Sequence, residues 1–354
     1  MKVLFAGSPA IAVPSLKVIS ELELEGKGVV LAGVLTNPDS RRGRHGKDEP
    51  TEVSAAAAEL DLVRKEKGLP PIPQLKTEKL DAFTRKEISA LAPDLLVSFA
   101  YGRIFGPRFL ALFPLGGINI HPSLLPKYRG ASPIPAVILA GEKETGICIQ
   151  RLAAEMDAGD ILAEDAFRLS GRETALSLSE TSGRRAALLL RDLLPGFNSK
   201  AVRARPQKGE AVYCSLIKKE DGLIDWLKSA VEIDAQIRAY TPWPLSFTCL
   251  GKETLFILEA GSLETVKTPA QADKAVPPKT GPLPCAGTVL GTDKNRGILI
   301  QTGDGILAVS RLQWQAKKAL DWKAFINGAR DFAGAKLGSL PNPNLPGSLP
   351  HKKP

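Results

Sequence analysis

The chain has 354 residues, which is long enough for two or three domains with separate hydrophobic cores. Its 44% hydrophobic and 24% charged residues are ordinary for a soluble globular protein. No apolar run approaches the ~20 residues of a membrane span, which excludes a membrane-spanning chain. The net charge of +9 is uneven, because residues 1–200 carry +2 and residues 201–354 carry +7. The second half is thus the better candidate for a polyanion-binding surface, although such a charge also serves solubility.

The first residues and the cysteines indicate the compartment. The run Met1–Gly7 is short and ends in Gly-Ser-Pro, so it is interpreted as a first strand and not as a signal peptide. Cys148, Cys214, Cys249 and Cys285 form no CxxC pair and lack the spacing of metal ligands. We interpret them as reduced thiols in a cytoplasmic protein.

The first half alternates predicted strands with predicted helices, which indicates a βαβ architecture with a mainly parallel sheet. Ligands bind such sheets beyond the carboxyl ends of the strands. The single glycine in the turn at Gly7 is not a GxGxxG fingerprint, so a dinucleotide is not indicated. The strands are expected at Val3–Ala6, Val29–Leu35, Leu95–Ala100, Gly117–His121 and Gly146–Ile149, and the helices at Ile11–Leu24 and Ala186–Leu194.

The second half has short strand-like runs separated by turns, which predicts a small β-barrel. These runs are Phe247–Leu250, Thr254–Glu259, Gly287–Leu290, Gly297–Thr302 and Gly305–Arg311. Pro269–Pro284 is rich in Pro, Lys and Ala and is expected to be a flexible loop. We therefore predict a first domain at 1–196, a linker at 197–209, a barrel domain at 210–336 and a disordered tail at 337–354.

The segment Asn119–Gly130 carries the strongest chemical signal. Asn119 and His121 are two residues apart on a predicted strand, so both side chains project from the same face at its end. The chain has only three histidines, which leaves His121 few rivals as a proton carrier. Asp157 follows another apolar run, and a carboxylate beside an imidazole orients the ring and raises its basicity. An Asn, a His and an Asp together can support acyl transfer without a covalent intermediate.

Each of these residues also has an ordinary structural interpretation. Asn119 could cap a turn, Asp157 could begin one, and His121 could be a hydrogen-bonded core histidine. Their joint placement at predicted strand ends favours a functional site. No GxSxG motif is present and no cysteine adjoins His121, so a hydrolase with a covalent nucleophile is not supported.

The segment Asn119–Ile134 closely resembles the signature of the 10-formyltetrahydrofolate-dependent formyltransferases, and Asp157–Ile161 resembles their second motif. The resemblance implies a Rossmann-like α/β domain followed by a small OB-like β-barrel, with 10-formyltetrahydrofolate as cosubstrate and no metal. It also implies that Asn119, His121 and Asp157 form a catalytic trio. By the same resemblance the folate is contacted by Ser123, Leu124, Leu125 and Pro126, with Tyr101 in a further wall of the pterin pocket.

Other motifs resemble one branch of that family, whose acceptor is methionyl-initiator tRNA. They are Phe5–Pro9, Thr36–Asp39, Lys218–Trp226 and Ala239–Pro244. The loop that follows Asp39 is basic and glycine-containing, which suits contact with RNA phosphates, although a solvated charged loop is the alternative. The tRNA-binding residues are expected to be Arg41, Arg42, Arg44 and Lys47.

Two details complete the expectations. Trp226 and Trp243 could stack on bases, but packing in the barrel core is the preferred interpretation. Members of the family often carry an acidic residue a few positions before the catalytic Asp; here Ala153 stands at that place and Glu155 is out of register.

We therefore expect a cytoplasmic, monomeric enzyme that moves the formyl group of 10-formyltetrahydrofolate to the amino group of methionyl-initiator tRNA, without binding a membrane. Three alternatives stay open: a formyltransferase of the same family that acts on a small-molecule amine, a 10-formyltetrahydrofolate hydrolase, and a non-enzymatic RNA-binding protein. The last would explain the charge but not the trio.

Overall fold

A computed structural model describes residues 1–41, 47–199, 201–263, 284–329 and 331–338. The helices in these ranges are α1 (Val13–Leu24), α2 (Glu52–Glu66), α3 (Ala82–Leu91), α4 (Pro107–Leu110), α5 (Pro133–Leu139), α6 (Ala175–Asn198), α7 (Ala230–Ala239) and α8 (Trp322–Gly328), with 3-10 turns at Ala10–Ala12 and Lys219–Gly222. None of the helices in the described part of the chain is both long enough and apolar enough to cross a bilayer.

The strands fall into two large sheets and two short ribbons. Those up to residue 168 are β1 (Lys2–Gly7), β2 (Val30–Thr36), β3 (Ser40–Arg41), β4 (Asp48–Glu49), β5 (Gln74–Lys76), β6 (Leu95–Phe99), β7 (Gly117–His121), β8 (Arg129–Gly130), β9 (Glu144–Arg151) and β10 (Ile161–Arg168). The later ones are β11 (Tyr213–Cys214), β12 (Ser246–Leu250), β13 (Glu253–Leu263), β14 (Val289–Asp293), β15 (Gly297–Gln301), β16 (Ile306–Trp314) and β17 (Leu320–Asp321).

Two compact units make up the chain. The first comprises residues 1–137, 142–170 and 177–216, and the second comprises 138–141, 171–176 and the described residues from Ile217 onward. The first unit thus continues to Leu216, so the segment expected to be a linker, 197–209, belongs to it.

The first unit is built on a seven-stranded sheet with the order β10-β9-β7-β6-β1-β2-β5. Strands β7, β6, β1, β2 and β5 are parallel, whereas β9 runs antiparallel to β7 and β10 antiparallel to β9. The predicted mainly parallel α/β sheet is therefore confirmed. The parallel strands end at the same edge of the sheet, where β6 stops at Phe99 and β7 at His121.

Successive side chains of β1 project from opposite faces of this sheet, as the alternation of a β-strand requires. Val3 and Phe5 pack with side chains of α1, α2 and α6 in one core, whereas Leu4 and Ala6 pack with side chains of α3 and α4 in the other. The unit thus has three layers, with helices on both faces of the sheet.

Local sequence sets several helix starts. The hydroxyl of Thr51 caps α2 by accepting from the Ser54 amide, and Asp81 caps α3 in the same way. Helix α6 extends to Asn198 and does not stop at Leu194 as predicted, although Pro195 interrupts its hydrogen-bond ladder. Leu194 and Phe197 are both buried in the core, and this packing holds the helix together across the proline.

The second unit contains an antiparallel sheet with the order β12-β13-β16-β15-β14, and β17 pairs with β16. Beyond the strands, Gly338 forms a bridge with Cys249 of β12, and Lys336 forms one with Thr288 beside β14. These bridges place the segment 336–338 beside both outer strands of the sheet. The predicted second, β-rich domain is confirmed.

The burial of residues in the second unit agrees with one expectation and differs from two. Trp226 is 2% exposed and donates its Nε1–H to the Thr248 hydroxyl at 2.9 Å, as expected of a core residue. Trp243 is 57% exposed, so its predicted packing in the core is wrong. Leu337 is 2% exposed within the core, so the tail does not begin at 337. Residues 339–354, and residues 269–283 of the predicted flexible loop, lie outside the described residues.

Candidate active site

The candidate site begins at the carboxyl end of β7. Strand β9 runs beside it in an antiparallel register that pairs Asn119 with Gln150 and His121 with Cys148. Residues two apart on a strand share a face, so these four side chains project from one face of the sheet. The predicted juxtaposition of Asn119 and His121 thus rests on a strand with the predicted bounds, Gly117–His121.

Asp157 lies in the loop between β9 and β10, and its carboxylate faces both residues. Its Oδ2 is 3.5 Å from Nδ1 of His121, and its Oδ1 accepts from Nδ2 of Asn119 at 3.4 Å. The three residues named from the sequence are therefore neighbours in the first unit. The backbone of Asp157 has φ of 52°, in the left-handed region that a residue with a Cβ rarely adopts.

Two further donors hold the carboxylate of Asp157. The side-chain amide of Gln150 donates to Oδ1 at 2.8 Å, and the backbone N–H of Gly130 donates to Oδ2 at 2.9 Å. Gly130 itself belongs to the short ribbon of β8 and β11, where a Cβ would lie 2.2 Å from the carbonyl oxygen of Cys214. Only glycine fits this approach, so the ribbon places the backbone donor.

His121 is 4% exposed, and its Nε2 lies 2.8 Å from the carbonyl oxygen of Tyr128. A carbonyl only accepts, so in the neutral ring Nε2 carries the proton, and a second proton on Nδ1 would be directed at the carboxylate of Asp157, 3.5 Å away. Burial lowers the pKa of His121 below its ordinary value, and the nearby Asp157 carboxylate and the Tyr128 carbonyl oppose that shift only in part. The ring is thus held in its neutral form at neutral pH.

The loop after β7 is tied to the protein by its own polar groups. The buried Ser123 hydroxyl donates to the carbonyl of Lys127 at 2.6 Å, and the Leu125 amide donates to Sγ of Cys148 at 3.4 Å. Leu125 packs against Cys148 and Ile161, whereas Leu124 is half-buried. The predicted folate-binding residues therefore form one anchored loop directly after the strand that carries His121.

Tyr101, expected in a wall of the pterin pocket, has its side chain in the core of the first unit. Its ring is 2% exposed in the core beneath the sheet and stacks on Phe105 at 5.5 Å between ring centroids. Its hydroxyl donates to the Thr77 carbonyl at 3.4 Å. The ring therefore belongs to the core of the first unit, and the residue before it, Ala100, has φ of 51°.

A partly buried polar network extends from Asp157 to Gln207. Its Nε2 donates to the carbonyl of Asp157 at 2.8 Å and to that of Gly159 at 2.8 Å, and its Oε1 accepts from both Nε and Nη2 of Arg129. The same guanidinium donates through Nη1 to Glu155 at 3.2 Å. Glu155, out of register in the sequence, therefore forms an ion pair at the rim of the site.

Sequence reasoning missed Gln150, Gln207 and Arg129. For Gln150 a signal existed, because it belongs to the same face of a strand beside Asn119, but the strand neighbour of β7 was not known. Gln207 lies 50 residues after Asp157, in a stretch expected to be a linker, and no local pattern marks it. Among the described residues, no His, Cys, Asp and Glu side chains form a group of three that could hold a metal ion.

The predicted tRNA loop is described only at its two flanks. Ser40–Arg41 and Asp48–Glu49 pair as a two-stranded antiparallel ribbon, and Nε of Arg41 lies 3.6 Å from Oδ1 of Asp48. Arg41 and Lys47 are both exposed. Arg42 and Arg44 lie outside the described residues.

Comparisons with known proteins agree with the fold and the motifs. The family model described as formyl transferase matches residues 1–187, and that described as formyl transferase, C-terminal domain, matches residues 216–330. The chain therefore belongs to the formyl transferase family, and the resemblance found in the sequence is confirmed.

Within this family, the similar curated proteins are methionyl-tRNA formyltransferases. The one from Treponema denticola is 51% identical over 94% of this chain and 98% of its own length. The one from Treponema pallidum is 42% identical over 96% of this chain and 99% of its own. Among solved structures, an N-formyltransferase from Helicobacter canadensis in complex with folinic acid and dTDP-3-aminofucose has a TM-score of 0.58 at 20% identity, over 87% of this chain and 99% of that one. At this identity the likeness concerns the fold alone.

Proposed function

We propose that the protein transfers the formyl group of 10-formyltetrahydrofolate to the α-amino group of methionyl-initiator tRNA. The observation that carries this proposal is the gathering of Asn119, His121 and Asp157 at the end of β7, in a chain that aligns over nearly its whole length with methionyl-tRNA formyltransferases. The site provides an amide donor, a neutral imidazole and a carboxylate, which are the groups that direct acyl transfer to an amine requires.

The reaction forms one C–N bond and breaks another. The α-amino nitrogen attacks the formyl carbon, and the carbonyl electron pair moves onto oxygen to give a tetrahedral oxyanion. The attacking nitrogen then loses a proton. The bond from carbon to N10 of the folate breaks, its electron pair stays on N10, and N10 takes the proton. The products are the formamide and tetrahydrofolate.

Asn119 stabilises the oxyanion. Its side-chain nitrogen carries two hydrogens, and the one directed at Asp157 makes a long contact of 3.4 Å. The second hydrogen is available to the developing charge on the formyl oxygen. A fixed donor of this kind contributes about 2.7–4 kcal/mol of transition-state stabilisation in acyl transfer.

His121 moves the proton from the attacking amine to the leaving nitrogen. The Tyr128 carbonyl fixes the protonated ring nitrogen, so the other nitrogen, 3.5 Å from Asp157, is the one that takes the proton. The lowered pKa of His121 keeps this nitrogen free in the resting enzyme. Once the imidazolium forms, the Asp157 carboxylate stabilises it without being protonated itself.

The remaining substrate contacts follow from the family resemblance. We assign the folate to the anchored loop Ser123, Leu124, Leu125 and Pro126 and to the backbone at Tyr101. We assign the tRNA to Arg41, Arg42, Arg44 and Lys47 and to the basic second half of the chain. All of this chemistry uses side chains and the folate cosubstrate, with no metal.

The protein is further proposed to act as a cytoplasmic monomer. None of the four cysteines, all of which belong to the described part of the chain, forms a disulfide, which suits a reducing compartment. Sedimentation of the purified protein tests the monomer: a single species near the chain mass of 37.8 kDa is expected. A concentration-independent dimer would contradict it.

The decisive assay combines the protein with 10-formyltetrahydrofolate and charged initiator tRNA and measures formyl-methionine released from the tRNA. Formylation of the tRNA supports the proposal. Release of formate at the same rate without tRNA would instead indicate a hydrolase, formylation of a small amine in preference to tRNA the small-molecule branch, and tRNA binding without turnover a binding protein.

Variants then test the trio. Asn119→Ala, His121→Ala and Asp157→Ala should each lose formylation while still binding charged tRNA. Asn198→Ala, at the end of α6, removes a comparable amide that donates to the Gly28 carbonyl at 3.0 Å, and should retain turnover. Near-normal turnover by His121→Ala would overturn the mechanism.

A further inference from the structure

Both ends of the Gln207 side-chain amide form hydrogen bonds, Nε2 with the candidate site and Oε1 with Arg129. Its Nε2 reaches the carbonyls of Asp157 and Gly159, both at 2.8 Å, and Oε1 of Gln150 at 3.3 Å. Gln150 in turn donates to the Asp157 carboxylate at 2.8 Å. Gln207 therefore grips the Asp157 loop from its backbone side and contacts the residue that holds its carboxylate.

The orientation of the Gln207 amide is fixed by chemistry. Its Oε1 faces the Arg129 guanidinium, with distances of 3.1 Å to Nε and 2.8 Å to Nη2, and a guanidinium only donates. Its Nε2 faces carbonyl oxygens, which only accept. A flipped amide would oppose like groups at both ends, so the network permits one orientation.

The loop that Gln207 grips is one that needs an external anchor. Asp157 has φ of 52°, a conformation that costs a residue with a Cβ of order 1 kcal/mol or more. Gly159 lies so close to β9 that a Cβ there would be 1.8 Å from the carbonyl oxygen of Arg151. The backbone of this loop has few alternatives, and its carbonyls would lack these donors without Gln207.

Arg129 holds Gln207 in place. Its side chain is 12% exposed, and its three nitrogens are all engaged: Nε and Nη2 by Gln207, Nη1 by Glu155 and the Tyr213 hydroxyl. Tyr213 lies on β11, six residues after Gln207. The chain therefore passes Gln207 and then pairs with β8. The segment 205–214 thus acts as a strap across the Asp157 loop.

We propose that Gln207 is a positioning residue for the formyl transfer: by clamping the carbonyls of Asp157 and Gly159, it holds the Asp157 carboxylate at its working distance from His121. This inference rests on the proposed function. The contacts of Gln207 are with Asp157, Gly159, Gln150 and Arg129, and its effect on turnover is exerted through Asp157.

Two variants separate the donor and acceptor halves of the amide. Gln207→Ala removes both. Gln207→Glu keeps an oxygen for Arg129 to bind but replaces the donor to the two carbonyls with an acceptor. Both should lower kcat about 100-fold, the effect of a misplacement near 1 Å, while KM for either substrate changes less than about threefold. The matched control is Gln74→Ala on β5, at the opposite edge of the sheet, which should leave kcat unchanged.

A positioning role has two signatures that general destabilisation lacks. The Asp157 carboxylate raises the pKa of His121, so its displacement should move the acid limb of the kcat/KM profile to lower pH in Gln207→Ala, which adds no charge of its own. In an Asp157→Ala background, adding Gln207→Glu should cause no further loss in single-turnover rate, since its route to the reaction is already removed.

The outcomes are distinguishable from failure of the proposed function. If the wild-type protein does not formylate charged initiator tRNA, the proposed function fails first. If it does, and Gln207→Glu turns over within about threefold of wild type, or loses a further 100-fold in the Asp157→Ala background, the positioning role is overturned. A melting curve for each variant confirms that folded protein is compared with folded protein.

Discussion

Gln150 lies opposite Asn119 on adjacent antiparallel strands, and both side-chain amides donate to Oδ1 of Asp157, at 2.8 Å and 3.4 Å. The pairing depends on register, because a shift of β9 by one residue would turn Gln150 to the other face of the sheet. The carboxylate is therefore held by two amides that the sheet, and not the loop, places.

Replacing Gln150 with Leu should lower turnover. Gln150 is 1% exposed, and its bond to a charged acceptor contributes about 1.5–3 kcal/mol, so we expect a fall in kcat of roughly 10- to 100-fold. Steady-state formylation measures it. Thr145→Val, at another buried polar position on β9, is the control and should leave kcat unaltered. A Gln150→Leu enzyme as fast as wild type would show that the Asp157 carboxylate needs no such support.

The pH dependence should follow the lowered pKa of His121. Because burial favours the neutral ring, kcat/KM should rise through a midpoint below pH 6.5 and level off above it. The unfolded chain binds this proton more readily than the folded one, so the contribution of His121 to stability is present above pH 6.5 and lost as the pH falls through the lowered value.

An NMR titration isolates this residue. The chain has only three histidines, so His45→Gln and His351→Gln leave the signal of His121 alone. A midpoint above 6.5 for that signal would mean that the Asp157 carboxylate outweighs burial in setting the pKa of His121.

Gly159→Ala should damage both stability and turnover. The added Cβ would lie 1.8 Å from the Arg151 carbonyl oxygen, which is backbone and moves only with β9. We expect a loss of about 1–3 kcal/mol in the free energy of unfolding and a larger loss in formylation, since Asp157 is two residues away. Gly261→Ala, where a Cβ meets nothing within 4 Å, should be close to neutral in urea unfolding. An unchanged urea midpoint for Gly159→Ala would contradict the close approach.

The basic loop should affect tRNA and not folate. Arg42→Ala with Arg44→Ala should raise KM for charged tRNA and leave KM for 10-formyltetrahydrofolate unchanged. The slope of log K for tRNA binding against log salt concentration should become shallower by about one unit for every phosphate that the variant no longer neutralises. Lys17→Ala with Lys65→Ala, two exposed cations on α1 and α2, controls for the loss of two positive charges alone. An equal effect of this pair would assign the attraction to overall charge.

Much of the fold and the trio follows from the sequence, because these features are local. The sequence predicts the strand Gly117–His121 with the bounds that the structure shows, and alternation along it puts Asn119 and His121 on one face. Asp157 is identified by its motif, Asp157–Ile161, which follows an apolar run in the sequence.

What the sequence does not provide depends on contacts between distant segments. Gln207 reaches Asp157 from 50 residues away, and only the folded chain shows that this stretch runs past the site. The place of Tyr101 after a strand suggests a pocket wall, but the left-handed backbone at Ala100 turns the ring into the core. Trp243 is expected in the core because tryptophans are usually buried, and it is 57% exposed.

The ribbon between Arg129–Gly130 and Tyr213–Cys214 bears on how the molecule can be divided. A fragment ending near residue 196 would contain Asn119, His121 and Asp157, yet it would lack both Gln207 and the strand that shapes Gly130 into a donor. Such a fragment keeps every residue of the trio and loses the donor to the carbonyls of Asp157 and Gly159. The compact unit that holds these residues accordingly extends through Leu216, well beyond the motif Asp157–Ile161.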